Sequence, residues 1–264
     1  MQIAIRNLKT DDLERAHFAV EAEAIETLYT HNLSFWSTRN RDDLSEGEKQ
    51  TIINDQNGAS TPQTCGATDK LHKIYAETTR HGEFSLLEIG AANGTVMQRI
   101  GEKYPNPNFR YVGFECLPIL AEDFREKFPG QTMHLGDVDD FIAKEKSFFP
   151  EAPFTLFYAS VVFIMIKPDL VRKALEKAAK LTDQILIYDY VERPDVELDP
   201  SESLVLHMTN RPVYWFIHAW EDYFSEIGFK IADMKVANPT DAEMRSPGYD
   251  PQLRGSGYVH AVRA

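Results

Sequence analysis

Residues Phe84 to Lys103 constrain the fold more than any other stretch. An apolar run, Phe84–Ile89, leads into Gly90-Ala91-Ala92-Asn93-Gly94, and a helix-compatible stretch, Thr95–Lys103, follows at once. A strand that breaks at one glycine and restarts as a helix after a second makes a tight turn with exposed main-chain N–H groups. Glycine has no Cβ and tolerates positive φ, so a ligand can approach such a turn closely. Glu88 ends the strand and brings a carboxylate to the same turn.

Strand and helix signals alternate from this point on. Strand Phe109–Phe114 ends at Glu115, and helix Pro118–Lys127 opens with proline at a permitted first-turn position. Strand Thr132–Leu135 ends at Gly136-Asp137 and is followed by helix Val138–Lys146. Strand Phe154–Ser160 is apolar throughout, as a strand buried on both faces should be. Helix Pro168–Lys180 repeats apolar residues at Leu170, Ala174, Leu175 and Ala178, and strand Gln184–Tyr188 runs into Asp189. After a pause at Glu192–Arg211, a helix over Ile217–Ile227 stops at Gly228, a suitable C′ glycine. Phe229–Val236 and Tyr258–Val262 are two last strands with a long Pro- and Gly-rich loop, Ala237–Gly257, between them. With no helix between them they should pair antiparallel. The expected fold is α/β: a doubly wound, seven-stranded, mainly parallel sheet ending in an antiparallel hairpin strand.

The first part of the chain has a different texture. Gln2–Leu8 alternates, and Leu13, Ala16, Val20, Ala24 and Leu28 recur at helical spacing behind a capping-box pair, Asp11 and Glu14. Asn54–Thr68 reads as a loop and Leu71–Thr79 as a helix. Residues 1–81 are therefore expected to form an N-terminal helical lid, and 82–264 a Rossmann-like domain with an insertion near 191–212. An oligomerisation arm, giving a homodimer through the N-terminal segment, competes with the lid. The opening, Ile5 to Glu14, is also similar to that of an acetyltransferase of the GNAT type, but no acyl-CoA pyrophosphate loop follows it.

Charge and cysteine content narrow the class. Lys and Arg total 28 against 41 Asp and Glu, a net charge of -13, and no basic run offsets it. Such a surface repels phosphate backbones, which speaks against a nucleic-acid substrate. Cys65 and Cys116 fit neither a metal-ligand spacing nor a disulfide framework, so no metal is expected and a reducing cytoplasm is. Met1–Thr10 lacks the apolar core of a signal peptide, and no run approaches the ~18 apolar residues that span a membrane.

Ligands of a doubly wound sheet sit beyond the carboxyl ends of its strands. Three acids fall there: Glu88, Glu115 and Asp137. A carboxylate ending the second strand accepts paired hydrogen bonds from a vicinal ribose diol and repels a 2′-phosphate. With these acids, Glu88-Ile89-Gly90-Ala91-Ala92-Asn93-Gly94 resembles motif I of the class I S-adenosylmethionine-dependent methyltransferases. Glu115 matches that family's ribose-binding acid and Gly136-Asp137-Val138 its adenine-contacting segment. Tyr158–Val162 occupies the position of its fourth-strand motif, and Trp220–Phe229 that of the helix entering the last hairpin. The resemblance covers about residues 82–264. It implies S-adenosyl-L-methionine as cofactor, held by Glu88, Gly90, Ala91, Ala92, Asn93, Gly94, Glu115, Cys116, Asp137, Val138 and Ser160. It implies methyl transfer, with an oxygen or nitrogen of a small-molecule acceptor as the expected target. An RNA- or protein-modifying enzyme of the same fold and a non-catalytic adenosylmethionine-binding protein stand as alternatives.

The sequence departs from the family in two places. Ala92 replaces the middle glycine of the frequent Gly-x-Gly-x-Gly form, and Phe154-Thr155-Leu156 lacks an acid at the start of the fourth strand. A nicotinamide dinucleotide is the rival ligand. It needs Gly-x-Gly-x-x-Gly, and Ala92 and Thr95 fill the second and third glycine positions. For a general base, His218 and then Asp189 are the candidates, with His31 and His207 behind them. Arg193 and Arg211 could hold an acceptor carboxylate or phosphate, and Tyr29, Trp36, Tyr214, Trp215, Phe216 and Trp220 could enclose a planar or apolar acceptor.

Overall fold

The computed structural model describes residues 5–10, 15–39, 43–57, 66–104, 109–193, 197–199, 201–208, 213–237 and 255–264. The chain opens with β1 (Ile5–Thr10) and β2 (Arg15–Glu21), paired antiparallel. Helices α1 (Ala22–Ser37), α2 (Glu46–Asn57) and α3 (Ala67–Thr79) follow. The alternating part runs β3 (Phe84–Ile89), α4 (Thr95–Lys103), β4 (Phe109–Glu115), α5 (Pro118–Lys127), β5 (Thr132–Leu135) and α6 (Val138–Ala143). It continues with β6 (Leu156–Ser160), a 3-10 turn at Phe163–Met165, α7 (Pro168–Ala179) and β7 (Gln184–Tyr190). The last elements are β8 (Glu202–Met208), β9 (Tyr214–Ile217), α8 (Trp220–Glu226), β10 (Phe229–Val236) and β11 (Ser256–Arg263).

Seven strands form the main sheet in the order β10-β11-β7-β6-β3-β4-β5. β5, β4, β3, β6 and β7 are mutually parallel, while β11 is antiparallel to both β7 and β10. The expected sheet and its closing hairpin are therefore present. The middle of the loop expected at Ala237–Gly257 lies outside the described residues. The chain winds outward from β3 through β4 to β5, then returns to β6 on the other side. Strand order thus reverses between β3 and β6, and a crevice opens at their carboxyl ends.

Strand alternation divides the core. Phe84, Leu86, Tyr111 and Tyr158 pack under α3, α4 and α5. Leu87, Ile89, Phe114 and Phe157 pack under α6, α7 and α8. Leu170, Ala174, Leu175 and Ala178 of α7 are buried at the spacing read from the sequence. Burying a side chain such as Phe157 contributes about 1.5–3 kcal/mol. No described helix is long and apolar enough to cross a membrane.

The N-terminal part departs from the helical expectation. Residues 15–21 are a strand, and the helix starts only at Ala22. Ala16 and Val20 are four apart, a spacing that shares a face in a helix and in a strand alike. What decides is pairing with β8: Phe18 lies opposite Val205 and Val20 opposite Ser203. β1, β2, β8 and β9 thereby form a second, four-stranded antiparallel sheet from the start of the chain and the 191–217 region. Tyr214–Ile217 is its last strand, so the late helix begins at Trp220 and not at Ile217. Leu13, Asp11 and Glu14 lie outside the described residues.

This small sheet covers the ends of β6 and β7. Leu204, Leu206, Trp215 and Ile217 cluster with Tyr190, Ile164 and Met165. Buried Asn32 of α1 fastens the layer: its Nδ2 donates to the Tyr214 and Met165 carbonyls at 2.7 and 3.2 Å, and its Oδ1 accepts from Tyr214 N–H at 3.0 Å.

Candidate ligand site at the strand ends

The turn after β3 is built almost wholly from main-chain bonds. Gly90 and Ala91 N–H both donate to the Phe114 carbonyl, at 2.9 and 3.0 Å, and Gly94 N–H donates to the Ala91 carbonyl at 3.0 Å. Gly90, Ala92 and Gly94 all have positive φ, of 68°, 48° and 88°. A Cβ on Gly94 would lie 2.5 Å from Phe128 and 2.8 Å from Phe124, so only glycine fits there. Ala92 adopts the left-handed conformation that glycine usually supplies, which explains why glycine is frequent at its position. Its surroundings are apolar: Ile52 and Ile53 of α2, and Leu117 and Ile119 at the start of α5.

Glu115 is buried at the end of β4. Its Oε2 accepts from Ala92 N–H at 2.9 Å and its Oε1 from Leu117 N–H at 2.8 Å, so the carboxylate is aimed at the glycine turn. Cys116 is exposed beside it, and its thiol donates to Oε1 at 3.6 Å. Burial raises the Glu115 pKa, and the two main-chain donors oppose that rise. Glu88 is also buried, and Tyr111 Oη donates to its Oε2 at 2.6 Å. Burial pushes Glu88 up to about 8, the Tyr111 hydroxyl works against the rise, and the charge of Glu115 adds to it.

Other expected contacts fall less simply. The Asn93 amide turns away from the crevice and donates to Asp123 of α5 at 2.9 Å. Asp137 is exposed and caps α6, accepting from Asp140 N–H at 3.0 Å in a capping box. Val138 packs in the core and Ser160 closes β6, half buried. Sequence reading missed Leu135, which pairs with Glu115 in register and leaves 55% of its surface exposed. It is an apolar wall beside the carboxylate, and its only sequence signal is its place as the last residue of a strand. Reading also missed Arg15 and His17, buried residues of β2 on the face that carries Leu206 and Trp215.

The two candidate bases are both buried. Asp189 ends β7, and its two oxygens accept from Ile164 and Tyr190 N–H at 2.9 and 2.8 Å. Burial pushes it up to about 8. His218 is fully buried against Trp220 and Tyr223, and its Nε2–H donates to the Phe163 carbonyl at 2.7 Å. Burial lowers its pKa to about 4, so it is a neutral imidazole at physiological pH. Asp189 lines a small cavity of about 10 Å³ with Val161, Ile164, Tyr188, Tyr190, Trp215 and Ser256; His218 does not. A larger open groove of about 460 Å³ lies between α3 and α4, lined by His72, Arg99 and Lys103 among others, and takes in none of the strand ends. Among the aromatic candidates, Trp215 reaches the cavity, while Phe216 and Trp220 belong to the core. Arg193 is exposed, and Arg211 lies outside the described residues.

The arrangement was compared with known proteins. No protein-family model matches the sequence, and no curated protein matches it. Solved structures do match. The CurJ carbon methyltransferase aligns with a TM-score of 0.54 at 17% identity, over 92% of this chain and 68% of its own. CalS10, an amino pentose methyltransferase from Micromonospora echinaspora solved with S-adenosylmethionine bound, aligns at 0.53 and 12% over 85% of this chain and 100% of its own. DesVI from Streptomyces venezuelae aligns at 0.51 and 13% over 84% and 100%. The chain has the class I S-adenosylmethionine-dependent methyltransferase fold. In this methyltransferase fold the reversal between β3 and β6 and the inserted antiparallel β11 are accounted for together. Identities this low carry the fold and leave the chemistry to the residues of the crevice.

The crevice residues fit an adenosylmethionine-type ligand. A buried carboxylate held beside a left-handed glycine turn offers acceptors for a vicinal diol, and exposed Leu135 beside it offers an apolar face. Ala92, packed on the cluster of Ile52, Leu117 and Leu120, fills the place where a dinucleotide fingerprint needs glycine.

Proposed function

We propose that this chain binds S-adenosyl-L-methionine at the carboxyl ends of β3, β4 and β6 and transfers its methyl group to an oxygen or nitrogen of a small-molecule acceptor. The observation that carries the reading is Glu115, whose carboxylate is fixed between Ala92 N–H and Leu117 N–H at the glycine turn. In this role Glu115 accepts the ribose hydroxyls, the 90–94 turn brings its main chain against the methionine end, and Leu135 borders the base. Bound there, the cofactor supplies an electrophilic methyl group on a sulfonium.

On the acceptor side, Tyr190 and Trp215, with ring centroids 6.4 Å apart, close a cavity at the end of β7 about the size of one water molecule, so an acceptor enters by displacing these rings. Burial keeps Asp189 protonated up to about pH 8 and His218 has no access to the cavity, so neither takes an acceptor proton at neutral pH in this arrangement. Orientation and exclusion of water then provide the rate, with the small sheet, α1 and α2 covering the strand ends. Replacing Trp215 by alanine is expected to raise the acceptor KM about tenfold through lost aromatic contact. Affinity for S-adenosylhomocysteine should stay within about twofold, and initial-rate kinetics beside calorimetry would separate the two.

A small acceptor is favoured over RNA by the net charge of -13. Incubation with methyl-labelled cofactor and separate metabolite, RNA and protein pools tests this. Label is expected in the metabolite pool. Label confined to RNA or protein would replace the small-molecule reading. No turnover with any pool, together with tight cofactor binding, would favour a non-catalytic binding protein.

A further inference from the structure

The segment joining β6 to α7 packs directly on the glycine turn. The Val162 side chain occupies the space that a Cβ on Gly90 would need. Val161, just before it, has φ of 55°. A β-branched residue in the left-handed region is strained by roughly 1–3 kcal/mol and stays there only when its surroundings hold it. Besides the Asn32 bond to the Met165 carbonyl described above, three bonds from outside the segment do so. Val161 N–H donates to the Tyr188 carbonyl at 2.8 Å. Ile164 N–H donates to Asp189 Oδ2 at 2.9 Å. The Phe163 carbonyl accepts Nε2–H of His218 at 2.7 Å.

Two of these anchors are side chains with no other evident task. Asp189 shares its carboxylate between the segment and its own strand end, at Tyr190 N–H. His218 spends its one ring proton on Phe163, and its Nδ1 has no hydrogen-bond partner among the described residues. A polar atom left that way costs free energy, so the ring is retained for what Nε2 does. We propose that Asp189 and His218 are positioning residues that clamp residues 161–166 in their strained form against Gly90, and so preset the crevice for the cofactor. The clamp rests on the donor site proposed above.

Calorimetric titration of the full chain with S-adenosylhomocysteine tests it, using Asp189→Asn, His218→Phe and the double variant. An amide offers one acceptor where two N–H groups now find one each, and phenylalanine offers no donor. Each single change is expected to weaken binding about tenfold, the worth of one buried hydrogen bond. The double variant should lose little more than the worse single, because releasing either anchor lets Val161 relax. Adding Val161→Gly removes the strain that the anchors oppose, and should return either single variant to within about threefold of wild type. Multiplicative losses, or no rescue by Val161→Gly, would overturn the clamp. If wild-type protein fails to bind the probe, the donor reading falls on its own. Hydrogen exchange at the Ile164 amide without ligand then decides the anchor: slow in wild type and at least tenfold faster in Asp189→Asn supports it, and equal rates overturn it.

Discussion

Glu115→Ala is expected to weaken S-adenosylhomocysteine binding about a hundredfold, measured by titration calorimetry at neutral pH. Two effects add in that number. A carboxylate that accepts both ribose hydroxyls makes two charge-assisted bonds, and alanine makes neither. Glu115 also holds Ala92 N–H and Leu117 N–H, so alanine frees the glycine turn and the first turn of α5 together. Glu115→Gln separates the two contributions. The amide keeps one acceptor oxygen, and its binding should fall between alanine and wild type. Unchanged circular dichroism with lost affinity would place the effect in the site. Unchanged affinity in Glu115→Ala would remove the ribose role altogether.

Stability should respond to pH through Glu88. In the folded chain it stays protonated up to about pH 8, whereas the same group in an unfolded chain releases its proton near 4.5. Between those values the folded state holds the extra proton, so stability falls as pH rises. Below the lower value both states are protonated and the penalty is absent. Asp189 has the same sign, raised from 3.8 to about 8 by its burial at the end of β7. Glu88→Gln removes one ionisation and keeps an oxygen for the Tyr111 hydroxyl. Urea unfolding should find the variant close to wild type at pH 5 and more stable by about 2–4 kcal/mol at pH 8.5. An equal difference at both pH values would mean that Glu88 does not titrate as its burial implies.

Features set by neighbours in sequence were legible without a structure. The β3 turn is one: a run of apolar residues, two glycines four positions apart and a helix behind them need no distant partner to be recognised. The parallel sheet was legible for the same reason, since each strand–helix unit announces itself locally. Features that rest on distant pairing were not. β2 was hidden because Ala16, Val20 and Ala24 satisfy a helical period, and only its pairing with β8 makes 15–21 a strand. His218 and Asp189 suggested bases by residue type and by their place after strands. Their partners, Phe163 and Ile164, lie 55 and 25 positions away, and those contacts make them anchors. Asn93 belongs to the motif by position, yet Asp123 of α5 draws its amide out of the crevice. The left-handed turn of Ala92 could be suspected from the glycine usual there, but its packing on the cluster that holds Ile52 depends on where α2 lies.

Donor identity carries the functional reading, and parallel titrations test it most directly. Wild-type protein would be titrated with S-adenosylhomocysteine and, separately, with NAD and NADP under the same conditions. One saturable site for S-adenosylhomocysteine, with no measurable heat from either dinucleotide, is the expected result. Saturable binding of a dinucleotide without binding of S-adenosylhomocysteine would contradict it, and would mean that Ala92 and Glu115 do not select the ligand in the way their geometry indicates.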